Sequence, residues 1–159
     1  MYKASYGYIR GNRNFTDELA MAASQTVKAR SGHFVYFDGG AVTMCADGAT
    51  AIDGAIDVPY DDTLEITDKR AVDISTESVY EIPIYATDGT TYATLTEARV
   101  VAAVGKAGAI KVSGDVQYLN MSDTDDVLIQ TQKVLQVVGY NYTNKTAYVK
   151  INPAVCMVD

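Results

Sequence analysis

The stretch Ser31-Gly32-His33-Phe34-Val35-Tyr36-Phe37, then Asp38-Gly39-Gly40, then Ala41-Val42-Thr43-Met44-Cys45-Ala46 decides the reading of the fold. Two runs of apolar, aromatic and β-branched residues flank three residues that accept positive φ at little cost, so the segment reads as a β-hairpin. Asp-Gly pairs recur at Asp47-Gly48, Asp53-Gly54 and Asp88-Gly89, and each marks a turn for the same conformational reason.

Further strands lie on either side. Val79 to Tyr85 leads through Thr87-Asp88-Gly89-Thr90 to Thr91-Tyr92 as a second expected hairpin. Pro83 marks its first arm as an edge or bulged strand, because proline cannot donate to a ladder. Val134 to Tyr142 and Thr146 to Ile151 form a third pair around Thr143-Asn144-Lys145. Thr94-x-x-Glu97 reads as a capping box ahead of a helix burying Leu95, Ala98, Val101 and Ala102, with Gly105 to close it. A second helix is expected from Thr16 or Asp17 through Leu19, Ala20 and Ala23. The fold class is mainly β: a small β-barrel or β-sandwich (β-tulip-like) with one or two short helices and an extended N-terminal arm.

The chain also echoes itself. Ser31 to Phe37 parallels Ser113-Gly114-Asp115-Val116-Gln117-Tyr118-Leu119, and Ile52-Asp53-Gly54-Ala55 parallels Val137-Val138-Gly139-Tyr140. Each glycine in the second pair is expected where another backbone comes close. The division that follows is an arm over 1–24 and one β-rich domain over 25–159. Two half-barrel units, 25–58 and 109–158, would flank an insertion at 59–108. Chance similarity between two hairpins is the competing account of the echo.

With 159 residues, 48% of them hydrophobic and 21% charged, the chain has the composition of a globular domain with a core of its own. Its net charge of −7 is unevenly distributed. Residues 1–30 carry five basic and two acidic side chains, a net of +3, whereas the remainder carries eight and eighteen, a net of −10. An acidic body repels phosphate backbones, so no nucleic-acid partner is expected. No apolar run approaches the ~20 residues of a membrane helix, so no membrane partner is expected either. Met1 to Arg10 has no apolar h-region, which points to synthesis in a reducing cytoplasm with Cys45 and Cys156 as buried free thiols.

Groups suited to chemistry are sparse. His33 is the single histidine. Ser31 lies two residues away on the same strand face, but no nucleophile elbow accompanies the pair, so His33 reads as a strand histidine at a surface or barrel mouth. Asp61-Asp62 and Asp123-Thr124-Asp125-Asp126 lack the register of a calcium loop and read as solvated acidic loops. No catalytic residue, metal site or cofactor is expected. The aromatic usage is distinctive: twelve tyrosines, three phenylalanines and no tryptophan. Tyr2, Tyr6, Tyr8 and Phe15 lie at mostly even spacing along the basic arm beside Arg10 and Arg13, the pattern of anchors for a partner protein or of an arm that packs back on its own barrel as an added strand.

The segments 31–37, 38–43, 52–55, 113–118 and 138–139 together resemble the head decoration (cement) proteins of tailed bacteriophages. In that family a turn glycine leads a Val-Tyr strand, and an apolar-x-Gly-apolar strand closes half of a small barrel. The resemblance spans residues 25–58 and 109–151; the helix near Leu95–Val104 and the tyrosine-rich arm have no counterpart in it. It implies a non-enzymatic virion protein on the capsid exterior, made in the host cytoplasm. Its partners would be major capsid protein and neighbouring copies of itself, as a trimer or a local symmetry cluster. Tyr2, Tyr6, Tyr8, Arg10, Arg13 and Phe15 would grip the partner, and loss of residues 1–15 would leave a folded barrel that no longer binds. A glycan- or receptor-binding surface module is the alternative.

Overall fold

A computed structural model gives the fold and describes residues 6–23, 25–58, 63–66 (backbone only) and 69–155. In chain order the elements are β1 (Gly7–Arg10), β2 (Gln25–Lys28), β3 (Phe34–Asp38), β4 (Ala41–Met44), β5 (Gly54–Ala55), β6 (Thr63–Ile66) and β7 (Val79–Tyr85). There follow helix α1 (Glu97–Ala103), β8 (Ala107–Gly108), β9 (Ile110–Ser113), β10 (Val116–Asn120), β11 (Leu135–Asn141) and β12 (Thr146–Ile151). The protein is mainly β, as its alternating apolar segments require.

The largest sheet runs β8-β11-β12-β7-β10-β9, with β1 added to β7. Its two ends belong to one stretch of chain. Gly108 faces Leu135 of β11, while Ile110, two residues on, faces Leu119 of β10. Between them the Ala109 N–H donates to Ile129 O at 2.9 Å and Ala109 O accepts from Asn120 N–H at 3.0 Å. A single bent stretch therefore carries both ends of the sheet and leaves a nearly closed barrel. Closure removes exposed edges and encloses a core. Tyr80, Ile82 and Ile84 of β7 fill it together with Leu119, Leu135, Val137, Val149 and Ile151.

Pro83 belongs to the central strand of this barrel, not to an edge. Ile84 N–H donates to Lys145 O at 3.1 Å, which sets the phase of the β7–β12 ladder, so the Pro83 nitrogen faces away from β12. On that other side β1 reaches only to Glu81 and β10 begins at Ile84. The missing N–H thus falls at the seam where β7 changes neighbours, and no ladder bond is lost.

The hairpin that opened the reading forms as expected. Asp38 and Ala41 close a two-residue turn whose glycines, Gly39 and Gly40, both have positive φ (58° and 83°). Its sheet, ordered β4-β3-β5, lies between two cores. Phe34 and Tyr36 face the barrel core, while Val35 and Phe37 face a smaller one built on Val27, Val42, Ile56 and Val72. This is the period-two alternation of a strand covered on both faces. The echo segments meet rather than building matching half-barrels. Gly32 N–H donates to Gln117 O, Gln117 N–H to Ser31 Oγ, and the Gln117 amide bonds both the N–H and the O of Phe34. Apart from β1, the barrel strands come from residues 79–151, and the segment expected to be an insertion supplies β7 at its centre.

Other expectations are corrected. Residues 16–23 are extended, not helical, with bridges from Leu19 to Arg70 and from Met21 to Val42. The turn after β7 gives only an Ala86–Gly89 bridge and no return strand, because Asp88 turns back to accept from the N–H groups of Tyr92 and Ala93. Thr96 caps α1 in place of Thr94, accepting from Arg99 N–H. The helix buries Val100 and Ala103 and leaves Val101 exposed, so the apolar stripe is rotated from the expected one.

Gly54 tests the close-approach argument. A Cβ there would stand 2.6 Å from Asp73 O, because β5 pairs through Ala55 with the chain at Asp73. Gly54→Ala should cost about 1–3 kcal/mol through forced separation of the two segments. Gly40→Ala meets no atom within 4 Å and should lose only the ~1 kcal/mol of positive-φ strain. Urea denaturation midpoints of the two variants check the ordering.

Candidate functional site

From Gly7 onward the arm pairs with the chain's own body. Gly7 and Tyr8 pair with Glu81 and Tyr80 of β7. The chain then leaves the sheet at Gly11, whose φ of 105° disfavours a side chain and where an added Cβ would collide with Glu77 O and stand 3.1 Å from Ser78 Cα. This turn delivers Arg13 to the face of Tyr8, 4.1 Å from the ring centroid, and to Phe15, 4.5 Å from its centroid.

Two carboxylates receive the guanidinium. Asp57 takes both terminal nitrogens as a fork, at 3.0 and 2.7 Å, and Asp73 takes Nε at 3.2 Å. Planar, bidentate pairing with ring stacking suits arginine and not lysine. Asp73 is fully buried. Its Oδ1 accepts from the N–H groups of Asn14 (3.0 Å) and Ser75 (3.1 Å). Its Oδ2 accepts from Arg13, from the Ser78 hydroxyl (2.7 Å) and from the Tyr80 hydroxyl (2.5 Å). Five donors surround one carboxylate, which is how a buried charge avoids the cost of its lost water.

The shifts in acidity follow from this arrangement. Burial by itself would raise the Asp73 carboxyl, but the donors from Asn14, Tyr80, Ser78 and Ser75 outweigh it and hold the group below its ordinary value. Burial, reinforced by the neighbouring Asp73 charge, pushes the Tyr80 hydroxyl up. Burial opposes the Arg13 charge, yet the hydrogen bonds of Asp57 and Asp73 prevail and raise it. Arg13, Asp73 and Tyr80 are therefore a fixed cation, a fixed anion and a fixed hydroxyl donor at neutral pH. Such a set holds strands together.

The proposed grip residues are distributed accordingly. Tyr2 lies outside the described residues. Tyr6 is half-buried, near enough to Tyr92 and Tyr118 to add to the rise in their pKa that burial begins. Tyr8 donates its hydroxyl to Gly11 O at 2.7 Å and stacks edge-on to Tyr80. Arg10 is exposed and lies over the ring of Tyr148. Phe15 remains 44% exposed. The structure thus engages Tyr8 and Arg13 internally and leaves Arg10 and Phe15 at the surface.

His33 and Ser31 do not come together. His33 is buried, with Nε2 3.0 Å from Lys28 O, and burial lowers its pKa so that it is neutral at pH 7. The Ser31 hydroxyl donates to Gly32 O. Cys45 is a buried free thiol pushed up to about 12 by burial, a small hydrophobe as expected; Cys156 lies outside the described residues. Among the described residues no group of His, Cys, Asp and Glu is placed to hold a metal ion, and no helix is long and apolar enough to cross a membrane.

Three buried polar residues escaped the sequence reading. Asp73 stands between Val72 and Ile74, a carboxylate inside an apolar run, which is a visible signal without a visible partner. Glu81 is fully buried on the central strand and accepts from the Thr146 hydroxyl at 2.7 Å. Gln117 joins the two sheets, its amide also donating to Cys45 O at 3.0 Å.

Because the folded Asp73 carboxyl sits below its unfolded value of ~3.9, its contribution to stability is complete above that pH and is lost as pH falls through the folded value. Asp73→Asn should cost roughly 3–5 kcal/mol near pH 7, since it leaves Arg13 without its inner partner. It should also flatten the decline in melting temperature below pH 4, and melts from pH 2 to 7 check both effects. Removing residues 1–15 takes away β1 and the guanidinium at once. We therefore expect a destabilised body, not an intact barrel, with a lower melting temperature and faster proteolysis. No family model, no curated protein and no solved structure matches the chain, so its chemistry rests on these side chains.

Proposed function

We propose that this chain is a structural, non-enzymatic virion protein of a tailed bacteriophage. On this reading it binds the outer surface of an assembled head and stabilises the lattice of major capsid protein. The observation that supports it is the joint at Gln117. The two turn-glycine strand segments on which the resemblance to cement proteins rests are hydrogen-bonded to each other and belong to one two-core β body. The charge division adds to it. An acidic body of net −10 keeps particles mutually repulsive, while Arg10 and Phe15 remain exposed on the basic segment for contact with protein. Neighbouring copies, as a trimer or a local symmetry cluster, would complete the contact. Many weak clamps repeated over a lattice stabilise it through multivalency, with little demanded of each.

The second reading, a glycan- or receptor-binding surface module, draws on the half-buried tyrosines of the barrel. Tyr85 and Tyr118 stack edge to face at 5.3 Å, with Tyr6 close to Tyr118, and phenol rings of this kind offer apolar area with a polar end.

Co-sedimentation with expanded heads purified without this chain separates the two readings. Capsid stabilisation predicts saturable binding and heads that survive higher temperature. Protein left in the supernatant, together with specific capture on a glycan array, would overturn it in favour of the second reading.

A further inference from the structure

Among the described residues four large apolar side chains stand exposed, Phe15, Val101, Val104 and Val127. Three of them lie on α1, at its C-cap or on the loop beside it. Ala98 and Ala102 are exposed on the same helix, so its outer side is apolar where a solvated helix would carry charge. Arg99 and Ala102, about one turn apart, and Lys106 just past the helix line one wall of a shallow cleft, and Val127 and Leu128 line the other. The cleft holds about 50 Å³, room for one or two water molecules and far below the ~300 Å³ of a small-ligand site. Such a surface suits contact with another protein, not capture of a ligand.

Charges of both signs border this face. Arg99 and Lys106 are exposed and form no ion pair among the described residues. The loop carrying Val127 follows directly on Asp123 and Asp125, both exposed, of which Asp123 spends one oxygen on Thr124 N–H. The other acids beside the cleft are engaged within the fold: Glu97 accepts from the Tyr140 hydroxyl at 3.2 Å, and the buried Asp126 from Thr87 N–H at 2.7 Å. We infer that this face meets the same face of a second copy across a two-fold axis, the Arg99 and Lys106 wall of each opposite the Asp123 and Asp125 loop of the other. A face that is basic on one side, acidic on the other and apolar between is complementary to itself under that rotation. The seven residues of α1 span about 10 Å, and the face falls short of the ~800 Å² per partner of a stable complex. The dimer is therefore weak and forms at high local concentration. The contact is a property of the chain alone and does not rest on the virion reading.

Sedimentation equilibrium of the full-length protein, with no capsid present, tests it. A monomer–dimer equilibrium with a dissociation constant of about 0.1–1 mM is expected. The double variant Arg99→Glu, Lys106→Glu sets acid against acid across the axis, and Asp123→Lys, Asp125→Lys sets base against base. Each alone should dimerise at least about tenfold more weakly, because like charges face each other. All four positions are exposed, so each variant should keep a melting temperature close to that of the parent. An equimolar mixture of the two variants restores opposite charges on both sides of the axis and should recover the dimer to within about threefold of the parent. Val127→Ser, which removes apolar area between the charges, should weaken it without changing the fold. A parent chain that stays monomeric at about 1 mM, variants that dimerise as the parent does, or a mixture that fails to recover association would each overturn the proposal.

Discussion

A carboxylate with no access to water constrains much of this structure. Asp73 survives in the interior only because five donors converge on it, and those donors come from three places in the chain: the strap at Arg13 and Asn14, the turn at Ser75 and Ser78, and the barrel strand at Tyr80. Each is thereby fixed relative to the others. The edge pairing of β1 on β7 and the bridge from Phe15 to Asp73 are backbone expressions of the same arrangement. Leaving any one donor site empty returns part of the desolvation cost, which for a buried charge exceeds that of an ordinary hydrogen bond several-fold.

The two cores are joined by equally economical means. Gln117 is a neutral group that offers both donors and an acceptor, and it uses them on Phe34 and Cys45 across the boundary between the sheets. Phe34 beside it is completely buried and meets Tyr80 edge-on at 5.5 Å. One amide and one aromatic pair thus connect the three-stranded sheet to the barrel, and Tyr80 ties that connection back to Asp73.

What the sequence made legible was local. The Asp38-Gly39-Gly40 hairpin, the β11–β12 pair and the crowded Gly54 follow from residue preferences that act over a few positions. The misread elements are those whose conformation depends on distant chain. Residues 16–23 have helical composition but take an extended form because Arg70 and Val42 offer backbone partners. Pro83 reads as an edge signal, yet the seam between β1 and β10 absorbs its missing donor, and nothing near Pro83 in sequence encodes that seam. In the arm, tyrosine and arginine at alternating positions announce a contact surface without saying whose. The acidic partners, Asp57 and Asp73, are 44 and 60 residues away, and no short-range pattern links them.

The pairing of β1 with β7 also has a consequence in time. The first strand finds its place only against residues 79–81, so during synthesis it must wait until roughly half the chain has emerged. At ~5–20 residues per second, that delay is several seconds. Until then the basic, tyrosine-bearing segment is without its β7 partner, and Arg13 can meet Asp57 and Asp73 only after they too have emerged. The segment that locks the body is thus made well before the strand onto which it locks.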